Sequence, residues 1–253
     1  MTSIETLDMK NGALAYLDIL GFKGIWQRET VQKVIAIMNG VETLVKDTYR
    51  ESPSDKGWNV RSEPFVTILS DTIVIGYEAE ENPSCLFLLC NMVYNLIHSF
   101  LNYGLFLRGA ITYGRYIRER NTFIGPAVDD VAEWYEVPDM IGVVTTPKCN
   151  YQIDRYNPFI MLVKNLSVQA YIKYDVPDKN NKIHHLNIFN WPGYLQASFD
   201  KLSEPNEKSD ARRLIEKIFS QQEAFGAEVL RKYENTLSFI DYGVTKVMPL
   251  QSK

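Results

Sequence analysis

The chain has 253 residues, 45% of them hydrophobic and 23% charged, with a formal net charge of −4 at pH 7. This composition is ordinary for a soluble globular protein, and the acidic balance argues against broad nucleic-acid binding, which needs a basic surface. The three cysteines show no Cys-x-x-Cys spacing, so neither a disulfide framework nor a zinc site is indicated. We find no signal peptide and no apolar segment that is convincing as a membrane span, and we therefore expect a cytoplasmic protein.

The first half of the chain predicts the element order β-α-β-β-α-β. Apolar and β-branched runs predict strands at 12–20, 65–69, 72–77 and 104–114. Apolar residues at helical spacing predict a helix at 29–49 and a buried helix that begins at Pro83, behind an Asn82 cap, and ends near Leu101. The second and third strands meet at Ser70-Asp71, which is typical of a tight hairpin.

The second half adds further elements to this core. Its patterns predict a helix at 125–136, strands at 141–146 and 159–163, an irregular hairpin around 178–181 and a peripheral amphipathic helix at 209–235. We find no internal repeat and no low-complexity linker. The order as a whole predicts an α+β fold with a ferredoxin-like βαββαβ core and extra C-terminal strands and helices.

One aspartate, Asp18, ends the buried strand of "AYLDILGFKG" beside Gly21. In a ferredoxin-like core the first and third strands are neighbours, so Asp18 and the hairpin residue Asp71 are expected at the same edge of the sheet. Two carboxylates that converge repel each other unless a cation lies between them, and oxygen ligands suit Mg²⁺ or Mn²⁺. The alternative is that Asp71 is an ordinary turn aspartate.

Four motifs in this order resemble the class III nucleotidyl cyclase catalytic domain. They are "YLDILGFKGI", "ILSDTIVIGY", "LRGAITYG" and "FIGPAVDDVAEWYE", and the likeness covers roughly residues 12–146. The chain is most similar to the divergent pyrimidine cyclases of bacterial Pycsar anti-phage defence. The resemblance implies one cyclase-like domain over 1–253, with residues 147–253 completing it.

The resemblance also implies a two-metal site. By position, Asp18, Asp71 and the Ile19 carbonyl would hold two Mg²⁺ or Mn²⁺ ions, and the turn Leu20, Gly21 and Phe22 would lie under the β- and γ-phosphates. In-line attack of the ribose 3′-hydroxyl on the α-phosphorus would then yield a 3′,5′-cyclic nucleotide and pyrophosphate.

Two departures from the family concern the base. Cyclases that make cyclic AMP read adenine with a lysine and an aspartate, and the matching positions here are Thr67 and Thr122. Short hydroxyls cannot replace those groups, but they donate and accept hydrogen bonds and so suit a pyrimidine. The resemblance therefore implies UTP or CTP as substrate, with UTP favoured. The plainer alternative is that both threonines are merely strand formers.

A third departure concerns the transition state. The family's asparagine and arginine fall on Asp129 and Glu133, which are carboxylates where hydrogen-bond donors are needed. Arg108, in a central strand, is the best substitute, and its apolar surroundings require an anionic partner, either the nucleotide or Asp18 or Asp71. Asp129 has the simpler interpretation of a favourable acidic residue at a helix N-terminus.

Three functions remain open from the sequence. The first is an active pyrimidine cyclase whose product signals to a downstream effector. The second is a degenerate domain that binds nucleotide or dimerises without catalysis, and the third is another palm-type phosphoryl-transfer enzyme. The resemblance further implies a head-to-tail homodimer in which Arg108 and residues 122–133 lie across the interface from the other subunit's Asp18 and Asp71. We expect no nucleic-acid or membrane partner.

Overall fold

A long strand near the N-terminus lies at the centre of a mixed sheet and is paired on both sides. The structure is a computed structural model that describes residues 8–22, 25–52, 62–79, 84–120, 122–155, 160–163, 166–202, 210–221 and 226–249. Its strands are β1 Lys10–Leu20, β2 Phe65–Leu69, β3 Thr72–Glu78, β4 Phe106–Glu119, β5 Thr122–Ile124, β6 Val143–Thr145, β7 Ile160–Val163, β8 Leu166–Gln169, β9 Tyr171–Pro177, β10 Ile183–Phe189 and β11 Val247–Pro249. Its helices are α1 Ile25–Arg28, α2 Val31–Arg50, α3 Ser84–Leu101, α4 Pro126–Trp134, α5 Pro147–Arg155, α6 Trp191–Leu202, α7 Ala211–Ser220 and α8 Ala227–Val244.

The strand order explains how the first half of the chain is organised. The large sheet runs β2-β3-β1-β4-β6-β10-β9, with β5 folded back on the end of β4, and β11, β8 and β7 form a smaller sheet. β4 and β6 are parallel, and the other pairs in these sheets are antiparallel. The first four strands thus form the predicted α+β core of two interleaved split βαβ units, with β1 and β3 as neighbours.

The two faces of the sheet differ because side chains alternate along each strand. On one face, Leu17 of β1 and Ile73 and Ile75 of β3 are completely buried. α3 covers this face, since the Tyr77 hydroxyl donates to the carbonyl of Cys85 and the Tyr171 hydroxyl donates to the carbonyl of Leu86 at 3.0 Å. We call it the covered face.

The opposite face is only partly covered, and we call it the open face. Helix α4 packs on it, where Asp130 accepts hydrogen bonds of 2.6 Å from the hydroxyls of Thr112 and Thr146. Toward the other end of the open face, Tyr16 and Asp18 remain partly exposed. Beyond Arg108 on the same face, Phe106 is buried and packs edge-on against Phe219 of α7 and Tyr233 of α8. The open face is therefore partly exposed only around Tyr16 and Asp18.

The C-terminal helix prediction was wrong in two respects. The predicted single helix at 209–235 is two helices, α7 and α8, and α8 begins after Gly226 and extends to Val244. α8 is also not peripheral, because Phe239 and Ile240 are completely buried. The predicted cap of α3 at Asn82 and Pro83 lies outside the described residues. Across the part of the chain that the structure describes, no helix has the length and apolarity to span a membrane.

Candidate active site

Three polar residues lie side by side on the open face. In the antiparallel register, Asp18 of β1 is opposite Thr72 of β3 on one side and opposite Arg108 of β4 on the other. Directly opposed residues of antiparallel strands share a face, so Thr72, Asp18 and Arg108 form one row across three strands. Strand pairing alone thus brings together an acid and a base that are 90 residues apart in the chain.

Asp18 and Arg108 form a nearly buried ion pair. The Arg108 Nε–H donates to Asp18 Oδ2 at 2.7 Å, and the two side chains are 7% and 14% exposed, respectively. A hydrogen bond between a guanidinium and a carboxylate is stronger than a neutral one, and each charge offsets the desolvation cost of the other. The anionic partner that Arg108 requires is therefore Asp18 of its own chain.

This contact corrects the expected position of Arg108 in a dimer. The resemblance implied that Arg108 faces Asp18 and Asp71 of the other subunit, but β4 pairs with β1 along its length and Arg108 bonds to Asp18 of the same chain. Arg108 therefore belongs to the same site as Asp18 without any help from a partner.

Asp71 lies beside Asp18 through the backbone. Ser70 and Asp71 connect β2 to β3 as a tight hairpin, and Ser70 adopts the left-handed region at φ 57°. The Ile19 N–H donates to the Asp71 carbonyl at 2.8 Å, which joins the hairpin to the residue after Asp18. Asp71 itself is partly buried. The expected convergence of these two residues at one sheet edge is found in the backbone.

The chain reverses direction directly after β1. Gly21 has φ +84°, a left-handed conformation that favours glycine. Apart from its chain neighbours, the nearest described atoms to a Cβ added there would be the Gly104 carbonyl oxygen and Leu105 Cδ2, each at 3.9 Å. Its backbone angle, not lack of space, therefore requires glycine. The Phe22 N–H points back to the Ile19 carbonyl at 3.4 Å, and the Phe22 ring is 9% exposed. Residues 20–22 thus form a turn at the edge where Asp18 and Asp71 lie.

The remaining predicted residues lie at different distances from this edge. Thr67 of β2 is opposite Val74 of β3, and Val74 is opposite Tyr16 of β1, so these three residues form a row on the open face. This row is adjacent to the row that contains Asp18. Thr122, the first residue of β5, is exposed and lies opposite Glu119 at the end of β4. At about 3.3 Å per residue, this end of β4 is more than about 30 Å of strand from Arg108. The structure does not bring Thr122 to Asp18 of the same chain.

Asp129 lies in the first turn of α4 and is exposed. The pKa of Tyr16 on the open face is raised, mainly by burial of the phenol and also by the negative charge of Asp129. Asp129 therefore lies close to Tyr16 and borders the open face. The Tyr16 ring also meets Tyr135 edge-on, with the centroids 6.0 Å apart. Asp129 is thus close to the row that contains Asp18, but as a carboxylate it offers no donor to a phosphate.

Three further residues at this end were not found by sequence reasoning. The backbone carbonyl of Glu136 accepts a hydrogen bond from Arg108 Nη1 at 3.3 Å. The side-chain Oε2 of Glu136 lies 3.8 Å from Arg108 Nη2 and 3.2 Å from Lys179 Nζ. The Tyr135 hydroxyl donates to Glu136 Oε1 at 2.9 Å. Burial, Glu136 and Asp18 raise the pKa of Tyr135 to about 12, so its phenol is protonated at neutral pH. Glu136 is 28 residues from Arg108 and 43 residues from Lys179 in the sequence, so no local pattern reveals these contacts.

The donors at this edge fit a hard divalent cation. Arg108 hydrogen-bonds to Oδ2 of Asp18, so Oδ1 is the oxygen that a metal would meet. Carboxylate and backbone carbonyl oxygens are the ligands that Mg²⁺ and Mn²⁺ prefer, and Mg²⁺ usually takes only one or two carboxylates with waters and phosphates. Within the described ranges, no group of three or more histidine, cysteine, aspartate or glutamate side chains is placed to hold a metal. A metal at this site would therefore need further ligands from phosphate or water oxygens.

Comparison with known proteins gives a likeness in structure. No family model and no curated protein matches the chain. Similar solved structures include the adenylyl cyclase CyaB from P. aeruginosa, with 11% identity, a TM-score of 0.43, and coverage of 72% of this chain and 93% of that one. The catalytic core of a rhodopsin-guanylyl cyclase with converted specificity, in complex with ATPαS, has 13% identity, a TM-score of 0.45 and coverage of 72% and 95%.

A third similar structure is the adenylate/guanylate cyclase/hydrolase from Silicibacter pomeroyi, with 10% identity, a TM-score of 0.44 and coverage of 72% and 96%. All three neighbours are nucleotide cyclases by name.

Proposed function

We propose that the chain is a nucleotidyl cyclase that converts UTP or CTP to the 3′,5′-cyclic nucleotide and pyrophosphate. The observation that supports this proposal is the Asp18–Arg108 ion pair on the open face, with the backbone of Asp71 beside it. Asp18 is bonded to Arg108, and the Ile19 N–H is bonded to the Asp71 carbonyl. Two acids and a guanidinium at the same end of neighbouring strands provide both signs of charge that phosphoryl transfer requires.

Asp18, Asp71 and the Ile19 carbonyl would hold the metal ions in this proposal. When bound, two Mg²⁺ or Mn²⁺ ions supply Lewis-acid activation of the ribose 3′-hydroxyl and neutralise charge on the triphosphate. The turn of Leu20, Gly21 and Phe22 lies at the same edge and supports the triphosphate through its backbone. In the reaction the 3′-hydroxyl would lose its proton to water as its oxygen bonds to the α-phosphorus. The bond from the α-phosphorus to the bridging oxygen would break, and pyrophosphate would leave with that oxygen.

Arg108 stabilises the charge that develops on the α-phosphate. The family's donor positions are occupied here by Asp129 and Glu133, which cannot donate as carboxylates. Arg108 is 7% exposed and adjoins Asp18, so its guanidinium is preorganised beside the reacting group at little cost on binding. Glu136 holds its opposite side through the backbone carbonyl.

Thr67 and Thr122 read the base in the proposal. Thr67 lies on the open face, one row from Asp18, where its hydroxyl can donate to or accept from a pyrimidine edge. Thr122 is more than about 30 Å of strand from Arg108, at about 3.3 Å per residue, so it would contribute to the site of a second subunit. On the resemblance, we propose that Thr122 serves the site of the partner in a homodimer, whereas Asp129 of the same segment lies near Tyr16 of its own chain. UTP remains favoured over CTP on the resemblance alone.

We also propose the biological role that the resemblance implies. The cyclic nucleotide would be a second messenger for a downstream effector in anti-phage defence. Residues 147–253 would complete the same domain, which is supported by the contact between Lys179 of this segment and Glu136 of the site.

A second candidate, a nucleotide-binding domain without catalysis, is favoured by one observation. Arg108 already neutralises Asp18, so the pair of acids does not by itself require a metal. The experiment that separates the two candidates is incubation of the purified protein with each of the four nucleoside triphosphates and Mn²⁺, followed by product identification by mass. We expect cyclic UMP or cyclic CMP and no cyclic AMP. Binding of UTP with no cyclic product would favour the second candidate.

A further inference from the structure

Glu136 is shared between two cations at the edge of the site. Its Oε2 lies 3.2 Å from Lys179 Nζ and 3.8 Å from Arg108 Nη2, and both Glu136 and Lys179 are about half exposed. The hydrogen bond from the Tyr135 hydroxyl lowers the pKa of Glu136 most, followed by Lys179 and then Arg108, so Glu136 is a carboxylate at neutral pH. One negative charge thus faces a positive charge on each side.

The turn that carries Lys179 has a defined shape. Between β9 and β10, Asp178 Oδ1 accepts from the backbone N–H groups of Asn180 at 2.7 Å and Lys182 at 2.9 Å. His184 Nε2 lies 3.1 Å from the other oxygen of Asp178, and Asn181 has φ 61°. These contacts fix the backbone on both sides of Lys179 and so keep its side chain within reach of Glu136.

Arg108 in turn is shared between two carboxylates. It donates to Asp18 at 2.7 Å and lies 3.8 Å from Glu136, so it is held more closely by Asp18. If Lys179 is removed, Glu136 is free to attract Arg108 more strongly and the bond to Asp18 weakens. If the charge of Glu136 is removed, Asp18 remains as the carboxylate partner and the bond strengthens.

We infer that Glu136 and Lys179 are positioning residues that set how firmly Arg108 holds Asp18. Through Arg108 they determine how much of the Asp18 carboxylate is available to a divalent cation, a consequence that rests on the proposed function. The β9–β10 turn thus contributes Lys179 to a site whose other charged residues come from β1, β4 and the segment after α4. We therefore expect opposite effects for Glu136→Gln and Lys179→Gln, because the two residues act on Arg108 in opposite directions.

The direct test uses the metal-free full-length protein. The Arg108 Nε–H resonance is assigned by ¹⁵N NMR from its loss in Arg108→Lys, and its exchange with solvent is measured. Glu136→Gln should slow this exchange at least about threefold and Lys179→Gln should speed it by a similar factor, since exchange follows the strength of the bond to Asp18. Lys182→Gln, in the same turn, is the matched control and should leave it unchanged. Equal exchange in all variants, or a change in the same direction for both, would overturn the inference.

The second readout is Mn²⁺ binding, measured by the EPR signal of the free ion. We expect Glu136→Gln to weaken binding about three- to tenfold, as for a unit charge near a partly exposed site. Lys179→Gln should tighten binding in the wild-type background and have no effect in Glu136→Gln. Tightening in both backgrounds would mean that Lys179 acts on the metal directly, which contradicts the inference. If the wild-type protein binds no Mn²⁺, the proposed function fails, while the exchange measurement still decides the inference.

Discussion

The two faces of the central sheet are built by the same strands and differ in what they do. On the covered face, Leu17, Ile73 and Ile75 are completely buried under α3. On the open face, the residues next to them in sequence include Asp18 and Thr72, both partly exposed. The period of two along a strand lets a single stretch supply the core with one set of residues and a polar site with the other.

The difference shows how the chain can place charges near its core. Asp18 is flanked by Leu17 and Ile19, which are 0% and 2% exposed, yet its own side chain points to the open face and is paired with Arg108. The apolar neighbours fix the strand, and the ion pair satisfies the charge. A substitution on the covered face should therefore act on stability, and one on the open face on activity.

The largest expected effect is on turnover when the acids are changed. Asp18→Asn and Asp71→Asn, like the corresponding alanine variants, should each reduce cyclisation by at least about 10³-fold, because metal-assisted activation of the 3′-hydroxyl is lost. Asp47→Asn makes the same chemical change on the exposed side of α2, where Asp47 pairs with Arg50, and should leave turnover unchanged. Product formation is measured by mass, with circular dichroism to confirm folding. Clear turnover by either site variant would show that the changed residue does not hold a catalytic metal ion.

The next effect separates the faces by stability. Ile75→Ala should lower the free energy of unfolding by about 2–5 kcal/mol, the usual range for truncation of a fully buried side chain. Val74→Ala, one residue away on the open face, should cost less, because it removes two methyl groups rather than three carbons and Val74 is 9% exposed. Urea unfolding of both variants gives the comparison, and the folded Ile75→Ala protein should keep its turnover. A larger loss for Val74→Ala would show that the open face is closed in solution.

The smallest expected effect concerns base recognition. Thr67→Val keeps the shape of the side chain but removes its hydroxyl, and we expect kcat/KM for UTP to fall about tenfold, as for the loss of one hydrogen bond. Thr245→Val, at the end of α8, makes the same change away from the proposed site and is the control. Unchanged kcat/KM in Thr67→Val would leave Thr67 as a strand former only.

Much of the core was predictable because local patterns specify it. The hairpin around Ser70-Asp71 was found from two β-branched runs, and the buried helix α3 from an apolar segment with few polar residues. The break between α7 and α8 was not predicted, because residues with helical spacing lie on both sides of Gly226 in the sequence. The first turn of a helix without a side-chain cap leaves little local signal, and Gly226 provides no such cap.

The candidate site was predictable only in part. Asp18 and Asp71 stood out because each is a carboxylate at the end of a β-rich run, and Arg108 because it is a charge in an apolar strand. Glu136 and Lys179 did not stand out, since exposed charged residues are common and only the folded chain brings these two to Arg108. The expectation that Arg108 faces Asp18 of the other subunit was wrong. Pairing of β1 with β4 places Arg108 opposite Asp18 of its own chain.

The most direct measurement of the central claim is a crystal structure with Mn²⁺ and a non-hydrolysable UTP analogue, using the anomalous signal of manganese. We predict manganese peaks in contact with the carboxylates of both Asp18 and Asp71 on the open face. Paired ions in such sites lie about 4 Å apart, so the two carboxylates must lie within about 10 Å of each other. Manganese bound elsewhere, or carboxylates farther apart than this, would contradict the two-metal account.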